Sequence, residues 1–312
     1  MIIGHQKILE YFTKALKYDK LSHAYLFVGP ANVGKTTVAR WLVEKLLTKD
    51  ENFWSRPNPD VQVVLKGEDK KEIFIDQIRK LREFIQQKPL LETHKIIIIE
   101  NIEDMSHAAV NALLKTLEEP PGDSLIILTS KNLHAVLDTV ISRCQLIKFR
   151  QVPTKEIAKH LKSHKADEAE TLATLAQGRP GLALQWAESL DDYKNLVKQA
   201  DIFISLISAG IDLKFSYVEQ LLPKGSNMVR QVQVVRKSLE LWRVLIRDFT
   251  LLKVGLFDKI VYSNLLKSLE AKAQQLSLKQ LASWQRETDK TMDLLQKNVN
   301  PRLALENLLL KF

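Results

Sequence analysis

AYLFVGPANVGKTTVARWLVEKLL, residues 24–47, decides the fold of this 312-residue chain. Five apolar residues run into a glycine-bounded loop, and the loop opens a segment whose apolar residues recur at helical spacing. Gly29, Gly34, Lys35 and Thr36 satisfy G-x-x-x-x-G-K-[ST]. After a strand and before a helix, such a loop aims backbone N–H groups and a helix N-terminus at phosphate oxygens. Lys35 is placed to reach the β- and γ-phosphates, and the Thr36 hydroxyl to ligate magnesium. The expected ATP-binding set is Gly29, Asn32, Val33, Gly34, Lys35, Thr36 and Thr37, with ATP and Mg²⁺ as cofactors. The bland alternative, a glycine turn with an incidental lysine, has the full pattern and its context against it.

Working outward, apolar bursts at 24–29, 61–65, 96–99, 124–130 and 145–150 read as short strands, several apolar throughout as buried parallel strands are. Amphipathic segments at 36–47, 73–86 and 108–117 between them are long enough to be crossover helices. The first part is therefore an α/β domain with a parallel sheet, over 1–152. After Phe149 the strand signal stops. Val152-Pro153-Thr154 breaks the chain, with Thr154 expected to cap a helix. A small helical unit is expected over 153–190, interrupted by GRPG at 178–181, and an all-helical domain over 191–312.

KIIIIENIEDM, residues 95–105, is shaped like the strand that brings acids to a nucleotide, because ligands of such sheets lie outside the carboxyl ends of the strands. Glu100 can hold Mg²⁺ directly or through water. Asn101 follows it where a second acid would orient attacking water, and an amide offers no carboxylate to take the proton. The expectation is nucleotide binding with weak hydrolysis. A strand that merely ends in polar residues is the plainer reading.

Composition sets the limits. Hydrophobic residues at 45% and charged ones at 27% describe a chain that folds rather than a disordered one. No apolar run reaches the roughly 18 residues that span a bilayer, and the N-terminal residues lack a signal-peptide pattern, so a cytoplasmic protein with no membrane partner is expected. One cysteine, Cys144, excludes an internal disulfide, and it reads as a small buried apolar residue. The charge of +9 fits work near a polyanion, yet its lysines and arginines are spread without a block of five, so charge alone does not assign nucleic-acid contact.

NALLKTLEEPP at 111–121 and SRC at 142–144 accompany the phosphate loop, and SHAYLFVGPANVGKTT at 22–37 precedes both. Together these stretches resemble the AAA+ subunits of the bacterial DNA polymerase III clamp loader. The likeness is dense from Gly4 to Arg150 and returns at NPRLALENLLL, 300–310. It implies an AAA+ P-loop domain, a small helical lid and a helical collar that joins five subunits in a ring. The implied partners are the motor subunits and the delta subunit, with the sliding clamp and, through the assembly, primer-template DNA.

Departures from the family pattern sharpen the expectation. Motor subunits typically carry Asp-Glu where this chain has Glu100-Asn101, and they usually carry a zinc module where 51–64 has no cysteine, although delta-prime chains often carry that module too. The chain's end at Phe312 leads to the expectation that it has no polymerase- or helicase-binding tail. These features favour the delta-prime type, with a short motor-type ATPase and a ring scaffold with a vestigial site as alternatives. The resemblance implies a sensor role for Ser130 and a finger role for Arg143, which would enter a neighbouring subunit's site. Gly181 stands where a second sensor arginine belongs, with Arg179 nearby as a helix-capping residue. Ile2, Ile3 and Gly4 either lie against the adenine or pack on the lid. His23, His94 and His107 have no second ligand at helical spacing, the pair Glu118-Glu119 sits in a proline-ended turn, and the tryptophans are too scattered to stack bases.

Overall fold

The computed structural model describes residues 2–47, 53–67, 70, 72–163, 168–223, 225–297 and 299–312. Residues 51–52 of the cysteine-free stretch and 164–167 of the expected lid helices lie outside those described. The chain divides into two compact units, Met1–Leu184 and Gln185–Phe312.

The first unit runs α1 (Gln6–Lys17), β1 (Ala24–Val28), α2 (Lys35–Leu47), β2 (Val61–Val64), α3 (Ile75–Gln86), β3 (Lys95–Ile99), α4 (His107–Glu118), β4 (Ser124–Ser130), α5 (Asp138–Ile141), β5 (Gln145–Lys148), α6 (Thr154–Ser163) and α7 (Ala169–Leu175). The division falls inside the following helix, α8 (Pro180–Glu188). All strand pairs are parallel, in the order β2-β3-β4-β1-β5. The continuous isoleucines of β3 have a simple cause: both faces of the sheet are covered. Ile97 and Ile99 pack with Ile78 and Leu81 of α3 and Leu113 and Leu117 of α4. Ile96 and Ile98 pack on the other face with Phe12 of α1 and Val38 and Leu42 of α2.

Two boundaries differ from the sequence reading. Ile73 does not begin a helix; it forms a bridge to Met105 and its N–H donates to the Asp104 carbonyl, so the sheet buries it and α3 starts at Ile75. Thr154 lies inside α6 rather than capping it, because the Pro153 carbonyl accepts from Glu156 and Ile157. The end of the sheet opposite the phosphate loop is pinned by Asp60. Its carboxylate accepts from the backbone N–H groups of Leu90, Leu91 and Glu92 and pairs with Lys95 at 2.8 Å, both side chains being buried.

The second unit is helical: α9 (Leu190–Leu206), α10 (Ile211–Leu221), α11 (Met228–Lys253), α12 (Leu266–Ala273), α13 (Leu278–Gln296) and α14 (Pro301–Leu309). Polar residues start four of these helices, with Ser189, Asn227, Ser277 and Asn300 each accepting from a first-turn N–H. Trp242 and Trp284 are buried in this unit. Phe203 stacks on Trp242, and Phe312 closes against both tryptophans. No described helix is long and apolar enough to cross a membrane.

Candidate functional site

A cleft of about 290 Å³ opens at the carboxyl ends of the strands in the first unit. The loop after β1 forms its floor, with Asn32, Gly34, Lys35, Thr36 and Thr37 lining it. Glu100 and Asn101 enter from the end of β3, Thr129 and Lys131 from the end of β4. Ile2, Ile3, Pro180, Gly181 and Leu184 make an apolar side. Thus Asn32, Gly34, Lys35, Thr36, Thr37, Glu100 and Asn101, recognised in the sequence, meet in one place.

Gly29, Val33 and Ser130 do not line it. A Cβ on Gly29 would stand 2.4 Å from the Phe149 carbonyl oxygen, so this glycine exists for close passage beside the chain after β5. The Val33 side chain is fully buried in the core. Its carbonyl is bonded to His5 Nε2 at 2.8 Å, and because a carbonyl only accepts, the imidazole proton sits on Nε2. Ser130 turns away and exchanges hydrogen bonds with the Asn132 backbone. Strand alternation explains this: Thr129 and Lys131 share the face turned to the cleft, and Ser130 has the other. Sequence reading missed both residues.

Lys35 is buried, and its ammonium donates to the Gly29 and Pro30 carbonyls at 2.7 and 2.8 Å. Neither acceptor carries a charge. Burial lowers its pKa to about 8, helped by the nearby Lys131 and opposed by Glu103 and Glu100. A cation held without a counter-ion among the described residues, beside a hydroxyl on the first turn of α2, is the chemistry of a phosphate site. Glu100 and the Thr36 hydroxyl supply hard oxygen donors of the kind Mg²⁺ takes. The donor set therefore fits a magnesium nucleotide.

Asn101 has a left-handed backbone, φ 53°, and its N–H donates to Thr129 Oγ1 at 2.9 Å. Asparagine tolerates that conformation better than most residues, which gives the position a local reason for its amide. On the opposite wall the Gly181 N–H donates to the Asn32 carbonyl at 2.9 Å, and a Cβ there would lie 3.0 Å from the same oxygen. No side chain extends from this position toward phosphate. Arg179 donates to the Ala176 carbonyl at the end of α7. Gly4 packs against Val152, and Ile2 and Ile3 line the cleft.

Arg143 lies outside the cleft. Its guanidinium pairs with Glu118 at 2.6 Å and donates to the Thr139 carbonyl, so the proline-ended helix α4 and the SRC motif meet on the surface of one domain. Cys144 is half-buried, and burial pushes its thiol up to about 12.

Comparison with known proteins gives a consistent set of relatives. Residues 4–153 match the family described as DNA polymerase III, delta subunit. The chain is 25% identical to the DNA polymerase III subunit delta' of Bacillus subtilis, over 97% of this chain and 94% of that one. It is 32% identical to the subunit tau of the same organism over 55% of this chain, spanning 32% of that longer protein. Among solved structures, a gamma subunit-related DNA polymerase III protein of Thermotoga maritima covers 96% of this chain and 97% of that one, with 23% identity and a TM-score of 0.49.

Proposed function

We propose that the chain is a DNA polymerase III clamp loader subunit, the delta-prime member, which binds ATP and hydrolyses it weakly; the match of residues 4–153 to that family and the nearly end-to-end similarity to a delta' subunit support the reading. One observation carries the reading: an intact phosphate loop with a buried, counter-ion-free Lys35 faces a strand end that offers Glu100 and Asn101 instead of two acids. Lys35 and the α2 N-terminus hold the phosphates, Thr36 and Glu100 hold Mg²⁺, and Ile2, Ile3 and Leu184 receive the base. Asn101 can orient a water but cannot accept its proton. With Gly181 opposite, the cleft has no arginine to follow the terminal phosphate.

In this reading residues 1–152 form the AAA+ domain, 153–190 the lid and 191–312 the collar that joins motor and delta subunits in a ring. The ring places the sliding clamp on primed DNA. Near end-to-end similarity to a delta' subunit supports that role. The higher identity to tau, over 55% of this chain, favours one rival, a short motor ATPase. Phosphate release by the purified chain at saturating Mg·ATP separates them: a motor turns over alone, whereas this subunit binds without appreciable turnover. Arg143, whose guanidinium spreads over Glu118 and Thr139 on the surface, is proposed to serve the neighbouring motor site once the ring forms, stabilising γ-phosphoryl charge in trans. Arg143→Ala should leave this chain's own ATP binding and assembly intact while lowering DNA-stimulated hydrolysis by the reconstituted loader. Unchanged hydrolysis by a correctly assembled mutant ring would remove the trans role.

A further inference from the structure

We infer that His5 is a positioning residue of the nucleotide cleft: its imidazole holds the Val33 carbonyl and so aims the Gly34 N–H at phosphate. The inference rests on the nucleotide reading above and adds to it a side chain that touches the loop rather than the ligand. Two successive carbonyls of the phosphate loop are held from outside it, that of Asn32 by the Gly181 N–H at 2.9 Å and that of Val33 by His5 Nε2 at 2.8 Å. Across a trans peptide the carbonyl and the N–H that follows it point opposite ways. Drawing the Val33 carbonyl toward the imidazole therefore fixes the direction of the Gly34 N–H. Gly34 lines the cleft, and its N–H has no acceptor among the described residues. A loop N–H left free at the mouth of a helix N-terminus is a donor for phosphate oxygen.

The chain makes this contact at a local cost. Gly4 and His5 are consecutive left-handed residues, φ 75° and 61°, just before α1. Histidine is among the side chains that enter this conformation more readily than most. Two such residues in a row turn the chain so that the ring meets a loop 28 residues further on. His5 stands at the N-cap of α1, yet its side chain caps nothing there; it is spent on Val33 instead. The ring is braced, with Phe149 edge-on at 4.8 Å and Gly34 close enough that a Cβ there would lie 3.8 Å away.

The phosphate loop has a use for such a tie. Asn32 and Gly34 are left-handed, φ 59° and 107°, with Val33 between them, an alternation that bends successive N–H groups into an anion-binding hollow. The Val33 side chain is buried in the core and leaves its own peptide to be oriented from elsewhere. The Asn32 carbonyl is held by a backbone N–H, whereas the Val33 carbonyl is held by a side chain that substitution can remove. Ile2 and Ile3, which line the apolar side of the cleft, precede His5 in the same short segment, so one stretch of chain serves both ends of the ligand.

Calorimetric titration of the full chain with Mg·ADP and with Mg·ATP tests this on wild type, His5→Phe, His5→Ala and His5→Gln, with thermal melts to identify the variants that fold. Phenylalanine keeps a ring against Phe149 without a donor, alanine removes both, and the glutamine amide nitrogen donates from about the place of Nε2. The two variants without a donor should weaken ADP and ATP alike, by roughly tenfold, the size of one hydrogen bond to a charged group. The losses match because the loop N–H groups cradle phosphates that both nucleotides carry. His5→Gln should stay within about threefold of wild type. A folded donor-free variant that binds as wild type does, a glutamine variant as weak as the donor-free ones, or a loss confined to ATP would each overturn the inference while leaving the site standing. A wild-type chain that binds neither nucleotide would overturn the nucleotide reading, and the inference with it.

Discussion

Two buried lysines at opposite ends of one sheet show how differently the same side chain is used. Lys95, at the start of β3, has its own carboxylate: Asp60 at 2.8 Å, the Pro59 carbonyl at 3.1 Å and the Phe84 ring beneath it. Lys35, beyond the end of β1, has two neutral carbonyls and, among the described residues, no carboxylate in contact. The first arrangement is complete and holds the 90–92 loop in place. The second leaves a charge that only an anion from outside can balance. Burying a charge is costly unless it is paired, so Lys95 is satisfied within the fold, whereas Lys35 is open to an anionic ligand.

The largest effect expected from breaking this comparison is on stability. Asp60→Ala strips the Lys95 charge of its partner and leaves the Leu90, Leu91 and Glu92 N–H groups unbonded, which should cost about 3–5 kcal/mol in denaturant unfolding. A double variant with Lys95→Met should recover part of that loss. Lys35→Ala should do the opposite. Mg·ATP affinity should fall by roughly 10- to 100-fold for one lost charged contact, while unfolding stability stays within about 1 kcal/mol of wild type or rises, since a poorly balanced buried charge is gone.

The two lysine sites should also separate by pH. Burial alone would raise the Asp60 pKa, but the Lys95 ammonium and the backbone N–H groups outweigh it and hold the carboxyl well below the usual range. The stabilisation is therefore present above a carboxylate's ordinary value near 4 and is lost as pH falls through the depressed folded value, a loss that acid titration of unfolding would follow. Lys35 titrates near 8 because burial lowers it. Phosphate binds the charged form and raises its pKa, so ATP affinity should be full below pH 8 and decline by up to tenfold per unit above it. A flat affinity between pH 7 and 9.5 would mean that Lys35 carries no phosphate.

Most of this was legible in the sequence where chemistry and periodicity agreed. The β4 stretch SLIILTS was read to its last residue, and β3 was read as a buried strand because only a two-sided sheet needs four isoleucines in a row. Lys35, Thr36 and Glu100 were legible because a strand, a glycine loop and a helix start fix where they point. Ser130 was placed by resemblance; its hydroxyl bonds the Asn132 backbone, and Thr129 and Lys131 are the residues of this strand end that line the cleft. Gly29 looked like part of a phosphate cradle, but its missing side chain answers to Phe149 across the sheet, a contact between residues 120 apart that no local pattern reveals. The Glu118 partner of Arg143 was hidden for the same reason.

The smallest effect expected is at Asn101. Asn101→Glu restores a carboxylate at the strand end but puts a longer residue into a left-handed backbone, at a cost of roughly 1 kcal/mol. Turnover should rise only a few-fold, because no arginine stands opposite, and the melting temperature should drop slightly. No rise in phosphate release would place the limiting defect at Gly181 instead.

The central claim is that this chain keeps ATP binding without ATP chemistry. The most direct test measures both on one purified sample: calorimetric binding of Mg·ATP, and phosphate release at a concentration that saturates the site. The account predicts one nucleotide bound per chain, with release far below the roughly 1 s⁻¹ at the low end of ordinary enzymes. Release at that rate or faster would contradict it in favour of a motor subunit, and absence of binding would contradict it in favour of a ring scaffold.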